Sequence, residues 1–470
     1  MSMALHPLDV SLIVLLMAGW LWLGHRGRTA PRMSGPSTND AVDYILAGRS
    51  LTAPFFAASL IATWYGAVLG AGEFIARYGV VMILCFGIPY YLAAAVYATV
   101  LAQRIRSSET VSIADQFRRA YGERVGYLAA VLILVLSIPA PYMLTLGIVV
   151  SSLTPLSIPW SIIAGSVVAL AIVARGGLRS DVYANAGQVV IMYAGFLALV
   201  VASIAHVGSP VEMWQQLPVT HRSIPGGLEW SAIAVWFLIA LQTMVDPNFH
   251  MRAAAARSAE TARKGLWWSI AGWVVFDSLQ LLAGLYAVVG VPAGQPAALY
   301  LDMAVAVLPP GWLGLFVSSL LAAVISTLDG YALVSATTIG HDLIDRVRGA
   351  QPRRSSVITG LLLTGVVGTA VAIIVPSIVD LIMHAASIAV PALLLPLLLS
   401  YRSGRPRAYR HQRIITWMLI PSLLSVAAMV LSAFTASLAL PPIPPMLIGV
   451  AASVLLMPYA LRTSHSRSHP

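Results

Sequence analysis

Charge is the first thing this chain lacks: Asp, Glu, Lys and Arg together make up 10% of its 470 residues, where soluble proteins carry about a quarter. That scarcity excludes an ordinary solvated surface. Cysteine is almost absent, and Cys85 alone cannot close a disulfide within the chain. Zinc-ligand spacings, a Gly-x-Ser-x-Gly elbow and a phosphate-binding loop are missing too, so no motif points to an enzyme. The longest polar connections, near 207–229 and 292–310, are too short to fold as soluble domains.

What fills the chain instead is apolar sequence, 59% of the residues. Stretches of the ~17–25 residues needed to cross a bilayer recur thirteen times between residues 8 and 461. The reading is an all-α polytopic membrane protein with about 13 transmembrane helices. The first stretch, residues 8–24, lacks a basic leader, and no small-residue cleavage site precedes Arg26 and Arg28, so it reads as a retained helix. An outside N-terminus and a cytoplasmic C-terminus put all but Arg77 and Arg222 of the 28 basic residues on the cytoplasmic side. That is the positive-inside pattern, and the net charge of +10 therefore reports topology rather than a nucleic-acid partner. The segment SSETVSIADQFRRAYGERVG reads as a short interfacial helix, and the tail RTSHSRSHP as disordered.

Two spans carry signs of a break. The second, ASLIATWYGAVLGAGEFIARYG, holds Gly66, Gly70 and Gly72, and the seventh runs into LQTMVDPNFHMR with Asp246 and Pro247. They stand five spans apart, the offset expected of a transporter with two inverted five-helix repeats and its site at the broken helices. Small residues also let membrane helices pack closely. The ninth span adds adjacent hydroxyls, Ser326 and Thr327, with Asp329 just beyond. Each hydroxyl alone could bond back into its own helix. Together with carbonyls freed in the second span they form the oxygen set that a hard cation such as Na⁺ takes, with the glycines letting the backbone turn toward the ion.

The stretches AGRSL with ASLIATWYG, AAVISTLDGYALVSATTIGHDLI, ARGGL, DPNFHMRAAAARS and PALLLPLLLS resemble the sodium:solute symporter family, which includes sodium/proline and sodium/galactose transporters. The resemblance implies a leucine-transporter-like, five-plus-five inverted-repeat fold. It divides the chain into an extra helix and loop (1–50), a first repeat (51–206), a second repeat (207–400) and two C-terminal helices with a tail (401–470). It further implies a Na⁺ ion held by the carbonyls of Ala62, Tyr65 and Ala323 and the hydroxyls of Ser326 and Thr327. Asn185, three residues before Gln188, stands where many members carry an aspartate linked to ion coupling, which argues against a second sodium there. Asp181, one turn earlier, reads as an ion pair with Arg175 or Arg179.

The expected solute pocket draws on Trp64, Tyr65, Tyr142, Gln242, Met383 and His384. Val68 and Leu69 stand where sugar carriers of the family present polar groups, and a sugar hydroxyl buried without a partner costs about 1–3 kcal/mol. An amino acid or monocarboxylate is therefore expected over a sugar. Glu73 and Arg77, four residues apart, read as a helix pair or an outer gate. Asp277, placed toward the cytoplasmic half of its span, is a functional candidate or a bond between helices. His384 can exchange protons or face an outer vestibule. His250 and Arg252 are expected in an inward loop, and Asp342 and Asp345 in a solvated cluster with Arg346 and Arg348.

These features point to sodium-coupled symport of a small organic solute by alternating access. The alternatives are proton coupling through His384, Asp329 or Asp277, or a membrane sensor that needs a partner protein. Na⁺ is the expected co-transported ion, with no organic cofactor. The expected partners are the solute and the lipid bilayer, with no obligatory protein partner. The expected location is the bacterial inner membrane.

Overall fold

The computed structural model describes residues 5–29, 40–292, 294–402, 411–435 and 444–461. Basic residues Arg32, Arg405, Arg407, Arg410, Arg462 and Arg467, and the RTSHSRSHP tail after Leu461, lie outside the described residues. Among those described, ten helices are long and apolar enough to cross a membrane. Thirteen spans were expected, and three fall short. One is interrupted, between Ala53–Ala62 and Val68–Tyr78. Another, Ile158–Ala171, stops where the side chain of residue 172 lies outside the described residues, and the helix it belongs to is kinked further on at Gly177, whose φ of 59° favours glycine. The third, Pro445–Ala460, has 16 residues.

The helices that position the site are α1 (Pro7–Thr29), α2 (Ala53–Ala62), α3 (Val68–Tyr78), α4 (Ile83–Ser108), α5 (Ile113–Tyr121), α6 (Glu123–Ser137) and α7 (Ala140–Leu153). They continue with α8 (Ile158–Val207), α9 (Trp230–Ile239), α10 (Pro247–Ala255), α11 (Ala259–Gly290), α12 (Trp312–Thr337), α13 (Arg354–Ile374) and α14 (Ile378–Ser400). The chain closes with α15 (His411–Thr435) and α16 (Pro445–Ala460), which pack on each other and on α14.

Helix α12 is the central member, almost wholly buried and packed against α8, α13 and α1. Its start is fixed from outside its own sequence. Asp9 Oδ1 in α1 accepts the amides of Gly311 and Gly314, both at 2.7 Å, covering donors that a helix N-terminus leaves free. Serine side chains do the same work locally: Ser112, Ser258 and Ser377 each accept a backbone amide three residues on, the N-cap arrangement that contributes about 1 kcal/mol. Within the segment expected to form a short interfacial helix, residues 113–121 are helical.

Both expected breaks are present. Between α2 and α3 the backbone leaves the helix at Thr63–Ala67. Between α9 and α10 a 3₁₀ turn over Ala240–Val245 ends at Asp246, and Pro247 opens the next helix. The glycines of the first break act differently from the expectation. None of Gly66, Gly70 and Gly72 has a positive φ. A Cβ on Gly66 would stand 2.5 Å from Tyr142 Cδ1 and 2.6 Å from Thr327 Cβ, and one on Gly72 would stand 2.7 Å from the Tyr300 ring. These two are contact glycines that bring α7, α12 and a connecting helix against the broken segment.

Candidate ion and solute site

At the first break, α2 stops at Ala62 and its last carbonyls lose their helical partners. Ser326 Oγ–H donates to Ala62 O at 2.8 Å and to Ala323 O at 3.0 Å, and Thr327 Oγ1–H donates to Ala323 O at 2.8 Å. Four of the five expected sodium ligands are thus joined by direct contacts, with no formal charge among them. The fifth, the Tyr65 carbonyl, accepts Val68 N at 3.1 Å as α3 begins. With the two hydroxyl hydrogens turned away, both hydroxyl oxygens and the Ala62 and Ala323 carbonyls would be free to accept a cation. This donor set fits a hard monovalent cation.

Beside this corner lies a chamber of about 360 Å³. It runs along the first break and α3, from Thr63 to Tyr78, and is bounded by α9, the second break, α11 and the start of α14. Trp64, Tyr65, Tyr142, Gln242 and Met383 line it, and the Glu73–Arg77 pair lies along it at 2.6 Å. His384 does not: it is exposed, one position past Met383 on α14, and absent from the lining.

Asp277, expected either as a functional carboxylate or as a bond between helices, lies on the chamber wall, accepting hydrogen bonds from the Tyr91 hydroxyl and, at 3.2 Å, from Gln280 Nε2. A second lining carboxylate, Asp246, was not anticipated as a pocket residue. It caps α10 by accepting the amides of Asn248 at 2.8 Å and Phe249 at 3.2 Å, and it accepts the Tyr331 hydroxyl at 2.6 Å. The adjacent Asp–Pro at a helix start was the legible signal for that cap.

Beneath the sodium corner is a buried polar junction. Arg252, expected in a loop, lies in α10 and is fully buried. It pairs with Asp181 at 3.0 Å and donates to Asn248 Oδ1 at 2.7 Å and to Ser59 Oγ at 2.8 Å. Asp181 is thus in an ion pair, as expected, but its partner is Arg252; Arg179 pairs with Asp43, and the Arg175 side chain lies outside the described residues. Asn185 Nδ2 donates to the same Ser59 Oγ at 3.1 Å. Asp329 is buried outside the chamber lining, with its Oδ1 unbonded. His250 is also buried, against Tyr401.

A third cluster joins α5 to the end of the α12 helix. Asp342 and Asp345, expected to be solvated, are 0% and 1% exposed. Asp115, His341 and Asp342 bring their ligand atoms within 4.8 Å of one another, a spacing a metal could use. Arg118 and Arg346 already contact Asp115 at 2.8 and 3.1 Å, so the charge is balanced by protein and the cluster is structural. Burial alone would raise the Asp115 carboxyl, but its His341 hydrogen bond and the Arg346 and Arg118 charges outweigh that and hold it at about 2.

The sequence model of the sodium:solute symporter family matches residues 44–406. The chain belongs to the sodium:solute symporter family. A substrate-bound, outward-open structure of a Na⁺-coupled sialic acid symporter is similar over 96% of this chain and 97% of that one, with a TM-score of 0.80 at 14% identity. Mhp1, a nucleobase-cation-symport-1 transporter in a closed conformation, is similar over 88% of this chain and 92% of its own, with a TM-score of 0.56 at 17% identity. At such identities the likeness establishes the fold, a leucine-transporter-like helical bundle. High-affinity choline transporter 1 of Caenorhabditis elegans is 22% identical over 199 residues, 42% of this chain. The match spans about a third, 34%, of that curated relative. Members of this family are transporters.

Proposed function

We propose that this symporter-family member carries a small, partly apolar organic solute together with Na⁺ by alternating access. The observation that carries the reading is the contact of the Ser326 and Thr327 hydroxyls with the Ala62 and Ala323 carbonyls at a helix break. Sodium bound there would bridge α12 to the end of α2, favouring one arrangement of the broken helix and completing the wall of the adjacent chamber. Solute binding would then favour closure, and the ion would leave on the cytoplasmic side. Coupling of this kind requires each ligand to discriminate between the two conformations. A membrane potential contributes about 2.3 kcal/mol per charge per 100 mV, enough for one sodium to drive accumulation.

The two breaks, one within 51–206 and one within 207–400, are the expected pivots of the two repeats. A mostly apolar chamber wall supports the exclusion of sugars. The partial likeness to a choline transporter adds quaternary ammonium compounds to the candidates. A bacterial inner membrane is the proposed location.

Thermal stability of the purified protein in NaCl against matched KCl tests the sodium reading without a solute. A ligand at 100 times its dissociation constant stabilises the native state by about 2.7 kcal/mol. The expected outcome is a sodium-specific rise in the wild type that Thr327→Ala loses. Equal stability in the two salts would overturn the reading and favour proton coupling, for which Asp277, a buried carboxylate on the chamber wall, is the candidate.

A further inference from the structure

The chamber has an uneven charge balance. Its acidic lining residues are Glu73, Asp246 and Asp277, and its one basic lining residue among those described is Arg77. Arg77 is spent on Glu73, at 2.6 Å. Asp246 and Asp277, 2% and 3% exposed, have no ion-pair partner among the described residues. Arg252, six residues beyond Asp246 in α10, is committed to Asp181.

The donors around these carboxylates suit their ionised form. Two backbone amides and a tyrosine hydroxyl converge on Asp246 at the N-terminus of α10, where the helix dipole favours negative charge. A tyrosine hydroxyl and a glutamine amide serve Asp277. Hydrogen bonds satisfy the lone pairs and leave the charge uncancelled, and an uncancelled buried charge is costly.

The rest of the wall is aromatic. Trp64 meets Tyr90 edge-on, with ring centroids 5.2 Å apart, and Tyr142 lies 5.0 Å from Tyr331. Trp236 is held by Phe86 at 4.4 Å. Rings braced by one another present fixed faces, and such faces attract a desolvated cation. The sodium corner brings no formal negative charge of its own, yet Thr63, Trp64 and Tyr65 of the same break line the chamber. The two carboxylates therefore leave the chamber with negative charge that an incoming organic cation can meet.

We propose that the co-transported solute is a small organic cation, a quaternary or tertiary ammonium compound, enclosed by the aromatic wall with Asp246 and Asp277 as its counter-charge. The proposal rests on the sodium-coupled reading of the same site. It reverses the sequence-based preference for a monocarboxylate, which would place a third negative charge beside two that are already buried.

The test measures binding to the purified full-length protein in NaCl, by thermal shift and calorimetry. The probes are choline, tetramethylammonium, the uncharged isostere 3,3-dimethylbutan-1-ol, L-proline and lactate. The two cations should bind and the isostere should not. Asp277→Asn and, separately, Trp64→Leu should each weaken choline about tenfold or more, which is the ~1.4 kcal/mol of one cation–π or charge contact, while the sodium-specific shift persists as proof of folding. Equal or stronger binding of the isostere, L-proline or lactate would overturn the proposal. So would the absence of any cation response in a protein that still answers to sodium, or unchanged choline affinity in Asp277→Asn. Equivalence of NaCl and KCl for the wild type would instead remove the sodium reading, and choline binding measured in KCl would still report on the chamber.

Discussion

The two helix breaks solve the same problem in opposite ways. At the first, α2 ends at Ala62, whose carbonyl accepts the Ser326 hydroxyl of α12, and no charged side chain takes part in the Ser326 and Thr327 contacts. At the second, α10 begins under a carboxylate, and one and a half turns later its Arg252 reaches Asp181 and Ser59. A C-terminal break left uncovered offers oxygen to a cation. An N-terminal break covered by Asp246 offers no donors to an anion and adds negative charge to the chamber. Ser59 lies one turn before Ala62, so the Arg252 contact also ties the charged break to the neutral one.

Removing that tie should have the largest effect. Arg252→Ala leaves Asp181 buried without its partner, and breaking a buried pair in this way costs about 3–5 kcal/mol. Chemical or thermal unfolding in detergent should show the loss, and Asp181→Asn added to Arg252→Ala should recover part of it. Full wild-type stability in Arg252→Ala would mean that the second break is not held by charge.

A less buried set of ion pairs gives the next step down. The Asp115 carboxyl is 11% exposed and contacts Arg118, Arg346 and His341. Its folded-state value of about 2 lies below the ~3.9 of an unfolded chain. The stabilisation it supplies is present above about pH 4 and disappears as the pH falls through about 2. Asp115→Asn should therefore be less stable than wild type at neutral pH, by on the order of 2 kcal/mol, and the two should converge in acid. A difference independent of pH would show that packing, not charge, joins α5 to the end of the central helix.

The neutral break is tested by volume instead. Gly66→Ala puts a methyl group against Tyr142 and Thr327, and overpacking of this kind costs about 1–3 kcal/mol. Because Thr327 is a proposed sodium ligand, the NaCl-specific thermal shift should shrink as well. A destabilised variant with an unchanged sodium shift would separate packing from ion binding.

The residues most legible in the sequence were those whose meaning is local. Adjacent hydroxyls at Ser326 and Thr327, and Asp–Pro at 246–247, mark their elements from a few neighbouring positions. The glycines were harder to read. A glycine that frees the backbone and one that admits a neighbouring ring look alike until the neighbour is known, and the neighbours of Gly66 and Gly72 come from distant helices. The same limit hid the Arg252–Asp181 pair, 71 residues apart, and left the role of Asp277 open between a functional carboxylate and a bond between helices. Met383 and His384 show how narrow the margin is. One residue is about 100° of helix, and that places Met383 in the chamber lining and His384 on an exposed face.

The smallest effect belongs to an exposed pair, Glu73–Arg77 along the chamber, whose side chains are 33% and 55% exposed. An i,i+4 pair on a helix contributes about 0.3–0.5 kcal/mol, so Glu73→Gln should barely move the unfolding midpoint. Its effect on binding should be larger than its effect on stability. With Glu73 neutral, Arg77 is left as a free cation along the chamber, and an incoming ammonium solute meets repulsion that the wild type cancels. The apparent affinity for choline should fall at low ionic strength and recover as salt screens the exposed charge, with sodium held constant and the added salt chosen to leave the sodium corner untouched. The Arg77→Gln variant should do the opposite. If both variants shift choline binding in the same direction, the pair acts as a gate held closed by its hydrogen bond. Opposite shifts would show that it acts through charge alone, as the second break does and the first does not.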